Sequence, residues 1–306
     1  MYLVCLTDCP DLLPDIGEWN PDDGRNYDYA ALGAASDLLF VMSYDVRSFV
    51  TDRCIASANA PLSAAVRGVS RYIQLGVPRS KIVLGIPWYG YVYPCMPPAL
   101  PRDRNAQLAR QGVKGQYPPD ASSASSRRFA REDYPRYDVC LTAEVPFNIA
   151  GTNSTPTKCS DQIGAQWSFA EIMLLLDQGQ CASAEFASMS PGGVRKRSLR
   201  NCSVVTELRR DSATRSPYFT FVAAGTAAGS AAAAAIEEED VYQVWFDDAA
   251  SIRAKVEAAA ALGIRGVGPY EYKSVDLTQD GSGVAGFRND AAPAESMAMW
   301  QALRPG

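Results

Sequence analysis

Leu38-Leu39-Phe40-Val41-Met42-Ser43-Tyr44-Asp45 and Ile82-Val83-Leu84-Gly85-Ile86-Pro87-Trp88-Tyr89-Gly90-Tyr91 decide how this chain folds. Each opens as a short, continuous apolar run and closes on polar or aromatic residues. An apolar run of that length without alternation suits a strand buried on both faces. Between the two, Leu62, Val66, Val69, Tyr72 and Ile73 recur at helical spacing, and Gly76 stops the pattern. Strand, helix and strand in that order predict a parallel βαβ unit.

Upstream, Met1-Tyr2-Leu3-Val4-Cys5-Leu6-Thr7 reads as a strand from its first residue. It has no basic leader followed by a long apolar core, so it is not a signal peptide, and the expectation is a chain that starts late. Downstream, from Val92 to Tyr242, the character changes. Pro, Ser and Arg crowd Met96 to Glu132, a helix is predicted over Phe169 to Gln178, and Ser216 to Ile236 is mostly Ala, Gly and Ser. That last tract reads as a flexible low-complexity insert rather than a membrane span. The regular pattern then returns, with a strand over Tyr242 to Phe246 and a helix over Ser251 to Leu262 stopped by Gly263. A strand over Ile264 to Tyr270 and a closing helix over Glu295 to Leu303 follow. The expected organisation is barrel strands and helices in 1–91, an insertion, partly loop or disordered, in 92–245, and the last barrel units in 246–306. An interrupted strand–helix alternation suggests a (β/α) barrel with its active groups at the C-terminal ends of the strands. Composition leaves a doubly wound sheet open.

The 306 residues carry a net charge of −5 and include no histidine. The charge gives no global pull toward nucleic acid or anionic membranes. Without histidine, Ser-His-Asp and Cys-His nucleophile systems and His-ligated zinc are excluded, and acid–base chemistry falls to carboxylates, tyrosine, lysine or cysteine. The eight cysteines (Cys5, Cys9, Cys54, Cys95, Cys140, Cys159, Cys181 and Cys202) form no C-x-x-C pair. Their scatter fits disulfides in a secretory or lysosomal protein, with buried free thiols as the alternative. Asn153-Ser154-Thr155 and Asn201-Cys202-Ser203 are N-glycosylation acceptor patterns. The basic run Arg195-Lys196-Arg197 sits among Ser, Gly and Pro and reads as a solvated loop.

Three clusters follow the strands: Met42-Ser43-Tyr44-Asp45, Trp88-Tyr89-Gly90-Tyr91 and Tyr270-Glu271-Tyr272. Aromatic faces stack on the apolar face of a pyranose, while Asp and Tyr hydrogen-bond its hydroxyls and amide. The plainer alternative makes Tyr44 and Trp88 core aromatics and Asp45 a helix cap.

These residues carry a resemblance. LLFVMSYD (38–45), CIASANAP (54–61), KIVLGIPWYGY (81–91), EVPFN (144–148), QVWFDD (243–248), GIRGVG (263–268) and MWQALRP (299–305) are similar to glycoside hydrolase family 18. CIASANAP and QVWFDD point to its chitobiase branch. The motifs occur in the family's order and cover most of the chain outside the insertion. The resemblance implies an α/β fold: a partial TIM (β/α)8 barrel, about its last four βα units, with a long insertion after the seventh strand. It implies cleavage of N-acetylglucosamine from chitobiose-type oligosaccharides by substrate-assisted retaining catalysis, outside the two-carboxylate scheme. Tyr44 matches the tyrosine that steadies the acetamido group and Asp45 the aspartate that contacts the sugar. Met42, Trp88, Tyr89 and Tyr270 are the further substrate-binding candidates. No metal or organic cofactor, nucleic acid or membrane partner is implied, and a monomer is expected, lysosomal or secreted in the full-length protein.

Two departures stand out. The family's acid lies in D-x-x-D-x-D-x-E on the fourth strand, and nothing in these residues matches it. The order of motifs would start the chain near the fifth strand, so the expectation is a truncated chain, inactive alone. Tyr270 also stands where the family has a tryptophan flooring the sugar site. The alternatives are a sugar-binding relative without catalysis, a chitinase acting on longer chitin, and a fragment without function.

Overall fold

The computed structural model describes residues 3–6, 28–46, 54–95, 140, 142, 144–146, 157–159, 164–179, 181, 185–190, 193–227, 239–275 and 292–304. The strands are β1 (Leu3–Leu6), β2 (Leu38–Val41), β3 (Ile82–Pro87), β4 (Tyr89–Pro94), β5 (Glu144–Pro146), β6 (Thr157–Cys159), β7 (Ala165–Ser168), β8 (Glu185–Ser190), β9 (Gly193–Val204), β10 (Arg209–Arg210), β11 (Pro217–Ala227), β12 (Glu239–Trp245) and β13 (Gly266–Tyr270). The helices are α1 (Tyr29–Ala35), α2 (Leu62–Gln74), α3 (Phe169–Gln178), α4 (Ala249–Ala261) and α5 (Ala292–Ala302).

The strands expected at the two ends of the chain form one parallel sheet, in the order β1-β2-β3-β13. Leu39, Val41, Ile82 and Leu84 turn to one face, where Ala65, Val69 and Tyr72 of α2 and Ala259 of α4 cover them. Fully burying each aliphatic side chain contributes roughly 1.5–3 kcal/mol. On the other face Phe40 lies over two register partners, Gly85 and Gly268. A Cβ at either glycine would come within 2.7 Å of the Phe40 ring. The Phe40 ring therefore occupies the space that side chains at the two glycines would take. Helix α4 is set by a capping box, Asp248 accepting from the Ser251 N–H while the Ser251 hydroxyl oxygen accepts from the Asp248 N–H.

A seven-stranded sheet holds β7-β4-β12-β11-β9-β8 in that order, with β10 on β11, and every pairing within it is antiparallel. Two expectations give way here. Arg195-Lys196-Arg197 belong to β9, paired with β8 and β11, rather than to a loop. The start of the tract read as a flexible insert is β11, the strand between β9 and β12. Its Phe219 and Phe221 are fully buried in a core with Trp167, Tyr242 and Phe246. Strand pairing and buried phenylalanines outweigh the low-complexity appearance of the alanines and glycine that follow. Residues 96–139 and 228–238, also read as loop-like, lie outside the described residues. Helix α3 falls on the predicted residues and carries its own capping box, Ser168 with Glu171.

Cys95 is bonded to Cys140 and Cys181 to Cys202, and Cys54 is disulfide-bonded as well. The Cys159 side chain lies outside the described part. Among the described residues no helix is long and apolar enough to cross a membrane.

Candidate functional site

The site grows from the C-terminal ends of three adjacent parallel strands. After β2 the Ser43 N–H donates to the Val41 carbonyl at 2.9 Å, which turns the chain sharply and delivers Tyr44 and Asp45. Asp45 has φ of 62°, in the left-handed region that asparagine and aspartate enter more readily than other side chains. After β3 the Trp88 N–H donates to the Tyr270 carbonyl at 2.8 Å, so the end of β13 is clamped to the start of β4. The Tyr270–Glu271 peptide is cis.

Tyr44 and Tyr270 stack, with centroids 5.4 Å apart and planes 16° from parallel. Tyr89 stands edge-on to both, at 6.0 and 6.3 Å. The Tyr89 and Tyr91 hydroxyls donate to the same Asp45 oxygen, Oδ1, at 2.7 and 2.8 Å. Tyr44 and Tyr89 are buried, Tyr270 is 47% exposed and Asp45 is exposed. Burial, then the neighbouring Asp45 carboxylate, pushes the Tyr89 phenol far above its usual range, so it stays a donor. The arrangement is an oriented carboxylate ringed by tyrosines, one of them open to solvent.

Of the residues singled out in the sequence, the structure brings Tyr44, Asp45, Tyr89 and Tyr270 together, and Met42 packs against the same cluster. Trp88 is the correction. It is 0% exposed, belongs to the core with Ile86, Val92 and Trp167, and meets Trp300 of α5 edge-on at 4.6 Å. Alternation along β4 explains the separation, since Tyr89, Tyr91 and Tyr93 take one face and Trp88 and Val92 the other. Its ring offers no face to a ligand.

Two further residues join the site. The sequence reading assigns no role to Tyr91, although the alternation Tyr89-Gly90-Tyr91 places it on the same face as Tyr89. Asn59 lies within CIASANAP, and nothing in the sequence tied it to Asp45. Among the described residues no cluster of Cys, Asp and Glu is arranged to hold a metal ion.

A carboxylate and aromatic rings gather here where parallel strands end, the face at which β/α folds carry their sites. The chain belongs to the family described as Glycosyl hydrolases family 18, whose sequence profile it matches over residues 14–274. It is 27% identical to di-N-acetylchitobiase of Rattus norvegicus, over 94% of this chain and 54% of that protein. It is 27% identical to di-N-acetylchitobiase of Homo sapiens over 94% of this chain and 52% of that protein. It is 28% identical to probable di-N-acetylchitobiase 1 of Dictyostelium discoideum over 80% and 47%. The chain spans about half the length of these curated relatives. Among solved structures, a class V chitinase from Nicotiana tobaccum aligns with a TM-score of 0.46 and 13% identity, covering 98% of this chain and 56% of that one.

Proposed function

We propose that this chain supplies the sugar-holding face of a chitobiase-like family 18 glycosidase, acting on chitobiose-type oligosaccharides of N-acetylglucosamine. The observation that carries the reading is the Asp45 carboxylate, held by Tyr89 and Tyr91 beside the stacked Tyr44–Tyr270 pair at the strand ends. In this reading the Tyr44 hydroxyl steadies the acetamido group and Asp45 hydrogen-bonds the sugar in the cleaved subsite. The exposed Tyr270 ring lies under the pyranose, Met42 lines the subsite, and Tyr89 acts by holding Asp45. Tyrosine and carboxylate serve such a ligand because a pyranose offers one apolar face and a rim of hydroxyls.

The chemistry proposed for the whole enzyme is substrate-assisted. The acetamido oxygen attacks the anomeric carbon, the glycosidic bond breaks, and a glutamic acid gives its proton to the leaving oxygen. Water, giving one of its protons to that glutamate, then attacks the anomeric carbon and displaces the acetamido oxygen, which restores the N-acetyl group. The present residues contain no D-x-x-D-x-D-x-E, so none of them is assigned as the acid. General acid–base help contributes about 10²–10⁴-fold, and its absence favours the second reading, binding without hydrolysis, for these 306 residues. The disulfides support a lysosomal or secreted location.

The test is release of N-acetylglucosamine from chitobiose, with binding measured calorimetrically. The expected outcome is binding without turnover by this chain and turnover by a version carrying the motif upstream. Loss of binding in Asp45→Ala and Tyr270→Ala is expected in both. Robust turnover by the 306-residue chain, abolished by Glu271→Gln, would overturn the assignment.

A further inference from the structure

Asn59 is 1% exposed and uses both ends of its side chain. Its Oδ1 accepts from the Asp45 N–H at 2.8 Å and its Nδ2 donates to the Tyr89 carbonyl at 3.2 Å. Its own carbonyl accepts from the Val46 N–H at 2.9 Å. One buried amide therefore joins the backbones of two residues whose side chains bond each other, Tyr89 donating to Asp45. The Asp45 conformation needs such support. A non-glycine residue in the left-handed region persists where its surroundings over-determine it.

The residues around Asn59 are anchored in turn. The Ala56 N–H donates to the Cys140 carbonyl at 2.9 Å, and the Thr142 N–H to the Cys54 carbonyl at 2.7 Å. Cys140 is bonded to Cys95, one residue beyond the end of β4, and Cys54 is itself disulfide-bonded. The strand that carries Tyr89 and Tyr91 and the segment that carries Asn59 are thus tied at a second point.

We infer that Asn59 is the positioning residue of the candidate site: it holds Asp45 in the left-handed conformation and so keeps the carboxylate on the Tyr89 and Tyr91 hydroxyls. It acts through Asp45 and touches no ligand. The inference deepens the sugar-site reading, which it needs only for the meaning of Asp45.

The experiment follows tyrosine ionisation by absorbance during alkaline titration, in the wild-type chain and in Asn59→Ala, Asp45→Asn and the double variant. Losing a carboxylate neighbour moves a phenol by about one pH unit or more. Asn59→Ala is expected to lower the Tyr89 midpoint by that amount, Asp45→Asn to do the same, and the double variant to go no further than Asp45→Asn. Additive shifts, or an unmoved titration in an Asn59→Ala protein with lowered melting temperature, would reduce Asn59 to a packing residue and overturn the inference. Should Asn59→Ala not fold, amide exchange in the wild-type chain decides. An Asp45 N–H protected at least tenfold upholds the bond, and free exchange refutes it. Calorimetry with chitobiose on the same samples separates the two claims. Coupled titrations without binding by any form would sink the sugar reading and leave the positioning role standing.

Discussion

Tyr89 is a buried phenol whose proton is fixed by its surroundings, and that has a measurable sign. Its folded pKa lies above the ordinary value of 10.0, so above that pH the unfolded chain releases a proton that the folded chain keeps. The stabilisation is complete below pH 10 and is lost as pH rises beyond it. Tyr89→Phe is expected to lower stability at neutral pH by about 1 kcal/mol through the lost hydrogen bond. It should also flatten the alkaline decline, as thermal melts at stepped pH would show. Gly90, one residue on, lies where a Cβ would fall 2.6 Å from that of Phe246 and 2.9 Å from Ile172 Cδ1, with the Trp245 carbonyl against it. Gly90→Ala is expected to cost about 1–3 kcal/mol, since Trp245 and Tyr91 are register partners and their strands cannot part freely. At this scale the sequence was readable where polar and aromatic residues close an apolar run, as Tyr44 and Asp45 do after β2. It was silent where a partner comes from far along the chain, as Asn59 does for Asp45. Trp88 misled because an aromatic beside a site motif looks the same whichever face of β4 it takes.

Between elements, a buried ion pair ties the end of β12 to α4. Asp247, just past β12, bonds Lys255 of α4 at 2.5 Å, and both side chains are shut from solvent. Burial, partly opposed by Asp247, lowers the Lys255 pKa from its ordinary value. Removing one member leaves the other charge uncompensated, so Lys255→Ala is expected to cost about 3–5 kcal/mol. Replacing Lys255 by Met and Asp247 by Leu together should recover most of that loss, as urea unfolding of the three variants would reveal. Helices α2 to α5 were legible because periodicity is local, and α3 matched its predicted residues, whereas α1 had no sequence reading. Strand β11 was not, because its place between β9 and β12 depends on residues outside its own window. Strand β9 was hidden by basic residues that read as solvated surface.

Across the whole molecule, covalent ties and open edges pull in opposite directions. The disulfides Cys95–Cys140 and Cys181–Cys202 close loops of 45 and 21 residues in sequence separation, each stabilising by about 3–4 kcal/mol through the unfolded chain. Among the described residues β1 and β13 each have a parallel neighbour on one side alone. An open edge of that kind recruits further strands. The expected behaviour is concentration-dependent association with a melt below about 60 °C, worsened by reductant, as light scattering would record. A monomeric chain melting cooperatively above that temperature would contradict it.

At the opposite end of β3 from the tyrosines, Lys81 donates to the Gly33 and Ala34 carbonyls at the close of α1, and Arg79 donates to the Leu262 carbonyl beyond α4. A cation at a helix C-terminus typically contributes 0.3–1 kcal/mol. The length of β3 puts this pole roughly 20 Å from Pro87 and the residues that follow it. Changes that far apart combine independently to within about 0.5 kcal/mol, so Lys81→Met and Asp45→Asn should show additive unfolding energies in a double-mutant cycle. The consequence is evolutionary. Lineages can drift or harden at the Lys81 pole without disturbing the tyrosine end, and a directed-evolution campaign can raise stability at one end before it alters the other.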